Sequence, residues 1–286
     1  MLSCAIYLST GAAAIASQVA AIAARSCPRV AVVDTFTDPL YARSSVKLVG
    51  HPRHLLAAVL AASSHAVTAI DLSREPHPAP HPRCGAIDLI SFMPLSDAKT
   101  SALAADMAAC DQLAWELGPS LRSFGCYVLM FGPRASRTLL ETRRCTSFFS
   151  SINAASNNVV SSLSSDFGPA DLQQTSGVTI VGAQAYVTNF NMRICGVPLE
   201  ECKRAASRVR SEFRVQVMAL QHSEAAVEIG CNLQATQDRD SPTAQHVLGF
   251  VRQLLPAEAE LMQSYVVGHT PSEARRLAES ALAVEQ

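Results

Sequence analysis

Apolar residues recur along this chain in two patterns, short continuous runs and longer runs with helical spacing. Continuous runs bounded by polar turn residues predict buried strands. These predicted strands are Ala5–Leu8, Val30–Asp34, Val46–Val49, Val67–Leu72, Ile87–Pro94, Cys126–Phe131, Val178–Val181, Ala185–Asn191, Val215–Leu220, Ala226–Asn232 and Ser264–Val267. Helical spacing predicts helices after Gly11, at His54–Ser63, Ser101–Leu117, Leu199–Glu212 and Ala244–Leu255, and after Thr270-Pro271.

The alternation of strands and helices predicts a layered α/β or α+β protein. Residues 145–165 are rich in Ser and Asn and nearly free of charge, which is typical of a surface loop. We expect a boundary soon after this stretch, at Gly177. The sequence therefore predicts two subdomains, residues 1–177 and residues 178–286.

The first residues of the chain allow two interpretations. Residues 1–24 carry no charge, and Arg25 and Arg29 precede the first acidic residue, Asp34. A mitochondrial presequence has this composition, whereas a membrane span does not, because polar residues dilute the apolar run. We favour a strand, a turn and a helix, since Ile15, Val19 and Ile22 share one helical face.

Composition and charge exclude several classes of protein. Hydrophobic residues make up 49% of the chain and charged residues 16%, with a formal net charge of -1, so no basic surface for nucleic acid is expected. The nine cysteines are odd in number and include no C-x-x-C pair, which argues against a disulfide framework and against a zinc site. We therefore expect an intracellular protein with reduced thiols and no membrane span, in the cytoplasm rather than in mitochondria.

One segment carries candidate chemistry. Residues 75–85 hold four prolines and the histidines His77 and His81, so regular structure is excluded there. Histidine exchanges protons near neutral pH, which makes this segment a candidate catalytic loop. The alternative is an exposed loop without a function. A metal site on His77 and His81 is disfavoured, because prolines prevent the helix that such a pair normally requires.

Several motifs resemble the formiminotransferase family. The H-P-R-x-G-x-x-D pattern at residues 81–88 is similar to the signature of its N-terminal subdomain. The D-F-G-P block at 166–169, the glycine-flanked run at 177–183 and the N-F-N block at 189–191 follow in the same order. The resemblance extends from Met1 to about Glu273 and is greatest for the short plant-type branch, which lacks a fused cyclodeaminase.

The resemblance implies a fold and a reaction. It implies two subdomains, each with a mixed sheet and helices on the outer face, and sheets facing each other across a cleft. It implies transfer of a formimino group from formiminoglutamate to the N5 nitrogen of tetrahydrofolate, without a metal. His81 matches the catalytic histidine, and Arg43 and Arg83 match arginines that could bind a carboxylate. The matching folate-binding positions are Asp166, Gly168, Pro169 and Gly177.

This sequence also departs from the family pattern. Tyr7, Thr10, Phe36 and Ala42 stand where the family has polar or acidic residues. Loss of a positioned catalytic group typically costs about 10² to 10⁴ in rate. Two hypotheses follow: a folate-binding transferase with an impaired catalytic set, or a non-catalytic relic of the fold that serves as a structural subunit. Under either hypothesis the protein could be a homodimer or a part of a larger complex.

Overall fold

The computed structural model describes residues 1–74, 81–96, 102–149, 161–236 and 239–283. The chain folds into two compact units. The first unit contains residues 1–184 and the C-terminal stretch that begins at Ser272, and the second contains Ala185–Pro271. The histidine His77 and most of the Ser/Asn-rich stretch lie outside the described residues.

The first unit is built on a six-stranded mixed sheet. Its strands are β1 (Leu2–Leu8), β2 (Val30–Asp38), β3 (Arg43–Gly50), β4 (Ile87–Pro94), β5 (Tyr127–Phe131) and β6 (Val178–Ala183), in the order β2-β3-β1-β4-β6-β5. The strands from β2 to β4 are antiparallel to their neighbours, whereas β4, β6 and β5 run parallel. All eight residues of β4 are buried, which explains its continuous apolar run.

Four helices of this unit lie within residues 1–184: α1 (Ala13–Ser26), α2 (Pro52–Ala69), α3 (Ala102–Ser123) and α4 (Leu139–Arg144). Its C-terminal stretch adds a fifth helix, Pro271–Ala283. Buried apolar residues of α1, α2 and α3 form one core with the sheet, including Val19, Leu55 and Leu117. Helix α4 begins at a capping box, in which the Thr138 side chain accepts from the Glu141 N–H and Glu141 accepts from the Thr138 N–H.

The second unit is built on a four-stranded sheet that is antiparallel throughout. Its elements are β7 (Val187–Cys195), α5 (Leu199–Phe213), β8 (Gln216–Gln221), β9 (Val227–Gln234), α6 (Ala244–Leu254) and β10 (Glu260–Val267), and the strand order is β10-β7-β9-β8. Phe190, Met192 and Ile194 alternate along β7 and face a core shared with α5 and α6. The last helix, α7 (Pro271–Ala283), follows β10.

The structure confirms the α/β class and the two-part organisation, but its details differ from the expected ones. The units divide after Gln184 rather than at Gly177, because β6 inserts between β4 and β5 and completes the first sheet. The second sheet is antiparallel rather than mixed, since each of its strands pairs with an oppositely directed neighbour. The cleft between the two sheets stays a prediction.

Two local predictions were wrong. The strand expected at Val67–Leu72 is not formed, because α2 continues to Ala69 and buries Ala62 and Ala66 at helical spacing. The predicted end of the third helix at Gly118-Pro119 is also wrong, since α3 runs to Ser123 with Pro119 inside it. Burial of Leu117 and Leu121 in the core stabilises this continuation, which outweighs the unfavourable local preference of proline.

Candidate functional site

The loop 81–86 is held between the end of β1 and the start of β6. The Ser9 backbone N–H donates to the Ala86 carbonyl at 3.0 Å, and the Ala86 N–H donates to the Ser176 carbonyl at 2.8 Å. Gly85 and Gly177 form an isolated antiparallel bridge. A Cβ on Gly177 would lie 2.4 Å from the Cys84 oxygen, and its φ is +65°. Glycine is therefore required at this crossing.

A buried ion pair lies directly beneath this loop. Asp88, at 1% exposure, pairs with the guanidinium of Arg43. Its Oδ1 accepts from the Cys84 N–H at 2.6 Å and the Gly85 N–H at 2.8 Å. Arg43 also donates to Ser9 Oγ at 2.6 Å, and Ser9 Oγ donates to the Gly85 carbonyl at 2.6 Å. The carboxylate thus fixes both the loop backbone and the arginine.

Two further arginines surround the same loop, and we call Arg43, Arg83 and Arg143 the arginine cluster. Arg83 is 4% exposed. Arg143 lies in the last turn of helix α4 and stacks over the Phe148 ring at 4.3 Å. Its Nε is inaccessible and has no hydrogen-bond partner in the described chain. Arg83 and Arg143 are close enough to Arg43 to act on its charge.

Burial sets the charge state of the groups in this cluster. Burial is the main cause that lowers the pKa of Arg43 from 12.5 to about 9; Cys84 opposes the change, whereas the Arg143 and Arg83 charges contribute to it. Arg43 remains a cation at neutral pH. Burial raises the pKa of the Cys84 thiol to about 11, although Arg143 and Arg43 pull it down. Cys84 is therefore a thiol rather than a nucleophilic thiolate.

His81 lies at the start of the loop and is half-buried. Its Nδ1 is 2.9 Å from the Pro82 carbonyl oxygen. Because a carbonyl oxygen only accepts, this contact requires a proton on Nδ1 and leaves Nε2 as the acceptor of the neutral ring. The Tyr41 ring lies 5.4 Å from the imidazole, centroid to centroid. The Tyr41 N–H in turn donates to Asp38 Oδ1 at 3.0 Å.

The remaining sequence-predicted residues lie along β5. Asp166 pairs with Arg137, and it accepts from the Met130 N–H at 2.7 Å. Gly168 has φ +143°, and a Cβ there would lie 2.6 Å from the Cys126 oxygen. The Pro169 carbonyl accepts from Ser165 Oγ at 3.2 Å. These contacts attach the D-F-G-P block to the edge of the sheet.

The structure thus groups Arg43, Arg83, Gly177 and the loop that begins at His81, while Asp166 has a structural pairing of its own. Sequence reasoning missed Arg143, Arg137 and Tyr41. The Thr138-x-x-Glu141 capping box was the available signal for Arg143, because it marks a helix start just before that arginine.

The positions that depart from the family pattern lie on β1 and β2 or shortly after these strands. Thr10, at 2% exposure, accepts from the Ala12 N–H at 3.1 Å, and its carbonyl accepts from Ser44 Oγ at 2.7 Å. Ala42 has φ 51°, a left-handed conformation. Phe36 lies on β2 opposite Ser45, and Tyr7 lies on β1 opposite the same serine. Apolar or hydroxyl-bearing side chains therefore occupy these positions.

Neither a metal centre nor a spanning helix is found in the described ranges. No three His, Cys, Asp or Glu side chains are grouped as metal ligands within these ranges. No helix of the described chain is both long and apolar enough to cross a membrane.

The first unit is thus a mixed-sheet α/β fold in which a glycine-bridged loop carries a histidine beside clustered arginines. Residues 1–184 match the model of the formiminotransferase domain, N-terminal subdomain, and the chain belongs to this family. It is 28% identical over 94% of its length to a formiminotransferase cyclodeaminase-like protein of Arabidopsis thaliana, of which the match covers 93%. The expected resemblance to the plant-type branch is confirmed.

Two other relatives match a shorter part of the chain. A glutamate formimidoyltransferase of Thermoplasma acidophilum is 28% identical over 65% of this chain and 59% of that protein. A formimidoyltransferase-cyclodeaminase of Sus scrofa is 27% identical over 65% of this chain and 33% of that protein. The match therefore covers about a third of the length of the pig protein.

Proposed function

We propose that this chain is a folate-binding protein of the formiminotransferase type that transfers a formimino group, with an impaired catalytic set, from formiminoglutamate to tetrahydrofolate. The observation that carries the proposal is the arginine cluster beside His81. Arg43 pairs with the buried carboxylate of Asp88, and Arg83 and Arg143 lie close enough to act on the charge of Arg43. The positive charge of these guanidinium groups favours an anionic ligand.

The chemistry requires a proton to move between two nitrogens. The N5 nitrogen of tetrahydrofolate attacks the formimino carbon, and a tetrahedral intermediate forms. His81 Nε2 takes the proton that N5 loses and returns it to the glutamate nitrogen, whose bond to carbon then breaks. The Nδ1 contact with the Pro82 carbonyl at 2.9 Å supports this role, because it leaves Nε2 able to accept.

Arg143 is the best-placed anchor for a substrate carboxylate. Its Nε has no hydrogen-bond partner in the described chain, whereas Arg43 is already engaged by Asp88 and Ser9. A buried guanidinium whose Nε lacks a protein acceptor gains strongly from a bidentate carboxylate. Gly177 supplies backbone beside the loop at Gly85, and Gly168 and Pro169 supply backbone along β5.

The decisive test compares His81→Ala with the wild type. We expect tetrahydrofolate to bind both proteins equally in calorimetric titrations, while transfer from formiminoglutamate falls about 10²- to 10⁴-fold in the variant. The exposed His246 offers a matched control, since His246→Ala should change neither quantity. Wild type that neither binds tetrahydrofolate nor turns over would refute the proposal.

A second variant tests the anion site separately. Arg143→Met should weaken the binding of formiminoglutamate about 10- to 100-fold, because a charge-assisted contact is lost. Its neighbour Arg144 is exposed on the same helix end, so Arg144→Met should have no effect. Equal affinities for the two variants would exclude Arg143 as the anchor.

The second candidate function is a non-catalytic structural subunit. It is favoured by Tyr7, Thr10, Phe36 and Ala42, which replace the polar groups of the family pattern around His81. Under this alternative the wild type binds tetrahydrofolate without turnover, or binds nothing. The same titration and transfer assays therefore separate the two functions.

A further inference from the structure

A surface pocket of about 560 Å³ lies beside helix α3 in the first unit. One wall is a face of that helix, on which Asp111, Trp115 and Pro119 recur at intervals of four residues. The other wall contains Arg134, in the turn after β5, and Phe167 of the D-F-G-P block. Its lining includes no residue of the arginine cluster or of the loop 81–86. A pocket of this volume suits a small organic molecule.

Two aromatic rings form adjoining walls of this pocket. The rings of Trp115 and Phe167 have centroids 5.5 Å apart and planes inclined at 76°, which is a favourable edge-to-face arrangement. The indole Nε1 is inaccessible and has no hydrogen-bond partner in the described chain, although the residue as a whole is only half-buried. The indole therefore presents ring carbon to the pocket, and a ligand would meet its π face rather than its N–H group.

A cation of the protein already lies over this π face. The Arg134 guanidinium carbon is 4.5 Å from the centroid of the Trp115 ring. Arg134 is exposed, and in the described chain its side chain pairs with no carboxylate; its backbone N–H donates to Asp111 Oδ1 at 3.4 Å. A long exposed side chain loses rotamer freedom when it is held against a ring. The ring therefore attracts a cation strongly enough to offset this loss.

The charge of the pocket also favours a cation. Asp111 and Glu116 both line it, and within the described ranges neither carboxylate forms an ion pair. Glu116 accepts a hydrogen bond from Gln112 Nε2 at 2.7 Å, which leaves its charge in place. Two carboxylates and one guanidinium give the lining an excess of negative charge, and this excess attracts positively charged ligands.

We propose that this pocket binds a small organic cation of the alkylated ammonium class, whose charged group replaces the Arg134 guanidinium over the Trp115 ring. Aromatic walls with nearby carboxylates are suited to such ions, because the attraction of a ring face needs no hydrogen-bond donor on the ligand. A primary ammonium is strongly hydrated, whereas methyl groups on the nitrogen reduce its hydration and fill an apolar pocket. Phe167 then packs against these methyl groups.

Titration of the full-length chain with choline tests the proposal directly. Trp115 is the only tryptophan of the chain, so its fluorescence reports on this pocket alone. We expect a saturable change of the fluorescence with choline chloride and none with sodium chloride at the same ionic strength. The uncharged isostere of choline, in which a tert-butyl group replaces the trimethylammonium group, should bind about tenfold more weakly, since it fills the same volume without the cation.

Two variants test the competition and the charge. Arg134→Ala should bind choline about tenfold more tightly than the wild type, because no internal cation then competes for the ring. Glu116→Gln should bind it about two- to fivefold more weakly. Arg122→Ala is the matched control for the arginine: this residue is exposed on the same helix but does not line the pocket, so its affinity should equal that of the wild type.

A third variant removes the ring itself. Trp115→Leu should abolish choline binding, which is then followed by the broadening of the methyl NMR signal of the ligand, while circular dichroism confirms that the variant folds. The proposal does not depend on this variant alone. A fluorescence that does not saturate, equal affinities for choline and its uncharged isostere, or an Arg134→Ala variant that binds no better than Arg122→Ala would each overturn it.

Discussion

Lys47 provides the sharpest test of the electrostatics inside the first unit. It lies on β3 between β1 and β2, and it is 1% exposed. Burial lowers its pKa from 10.5 to about 8, while Asp34, its cross-strand partner on β2, partly opposes the change. The folded state therefore holds this proton less firmly than the unfolded chain does.

The sign and magnitude of the pH dependence of stability follow from the linkage between proton binding by Lys47 and folding. Below pH 8 the lysine is charged in both states, and the folded state carries the full penalty of burial. As the pH rises from about 8 to 10.5, the folded protein releases the proton first and the penalty disappears. A difference of 10.5 − 8 in pKa corresponds to about 3 kcal/mol. This group therefore makes the protein more stable as the pH rises through that window.

We expect Lys47→Met to remove this contribution. The free energy of unfolding of the variant minus that of the wild type should fall by about 3 kcal/mol between pH 8 and 10.5. Loss of the Asp34 contact shifts the whole difference curve but not its slope, because Asp34 stays ionised throughout. Urea titrations at several pH values measure the difference.

A matched control isolates burial from the mere presence of a lysine. Lys203 is 50% exposed on α5 and pairs with Glu200, so Lys203→Met should give a difference that does not change over the same window. The nine thiols titrate equally in the wild type and in both variants, and they cancel from the differences. Parallel curves for wild type and Lys47→Met would refute the reasoning.

Three further predictions concern the loop and its surroundings. Ala42→Gly should raise the free energy of unfolding by about 1 kcal/mol, because φ is 51° at this position; urea titration measures it. Asp88→Asn should lower the same quantity by about 3 kcal/mol, since Arg43 would be left buried without its anion. Gly118→Ala should destabilise by about 1–3 kcal/mol, because the new Cβ would lie 2.3 Å from Phe167. It should also change the fluorescence of the single tryptophan, whose ring is 5.5 Å from that of Phe167.

Two of these predictions have a control variant, and the third has an outcome that would contradict it. Ala109→Gly, inside α3, should lose about 1 kcal/mol where Ala42→Gly gains. Asp71→Asn removes an exposed partner of Arg74 and should leave stability unchanged. A gain in stability from Gly118→Ala would mean that helix propensity outweighs the contact with Phe167.

The local sequence pattern was sufficient to predict a strand or helix wherever the burial of the segment matches the hydrophobicity of its residues. Strand β4 is apolar throughout and is buried throughout. The first strand and helix were found from the spacing of Ile15 and Val19, and the structure has β1 and α1 there. The strand predicted at Val67–Leu72 is not formed, because a short apolar run is compatible with a buried strand and with the buried end of a helix.

The site itself was found only in part from the sequence. The H-P-R-x-G pattern marks His81, Arg83 and Gly85 because a short motif carries its own spacing. Arg143 lies 60 residues beyond Arg83, and the capping box before it predicts only the start of a helix. Its place beside Arg43 depends on the packing of α4. Asp166 pairs with Arg137, a partner 29 residues away that no motif marks, and its expected contact with a ligand stays a prediction.

By itself, the sequence determined the family, the order of strands and helices in outline, and the glycine and histidine of the central loop. These features depend on residues that are near one another in the chain. Tertiary structure alone decided that β6 lies between β4 and β5, that Lys47 has a pKa of about 8, and that β10 is an exposed edge. Burial and strand pairing depend on residues that are distant in sequence, so a local sequence pattern does not predict them.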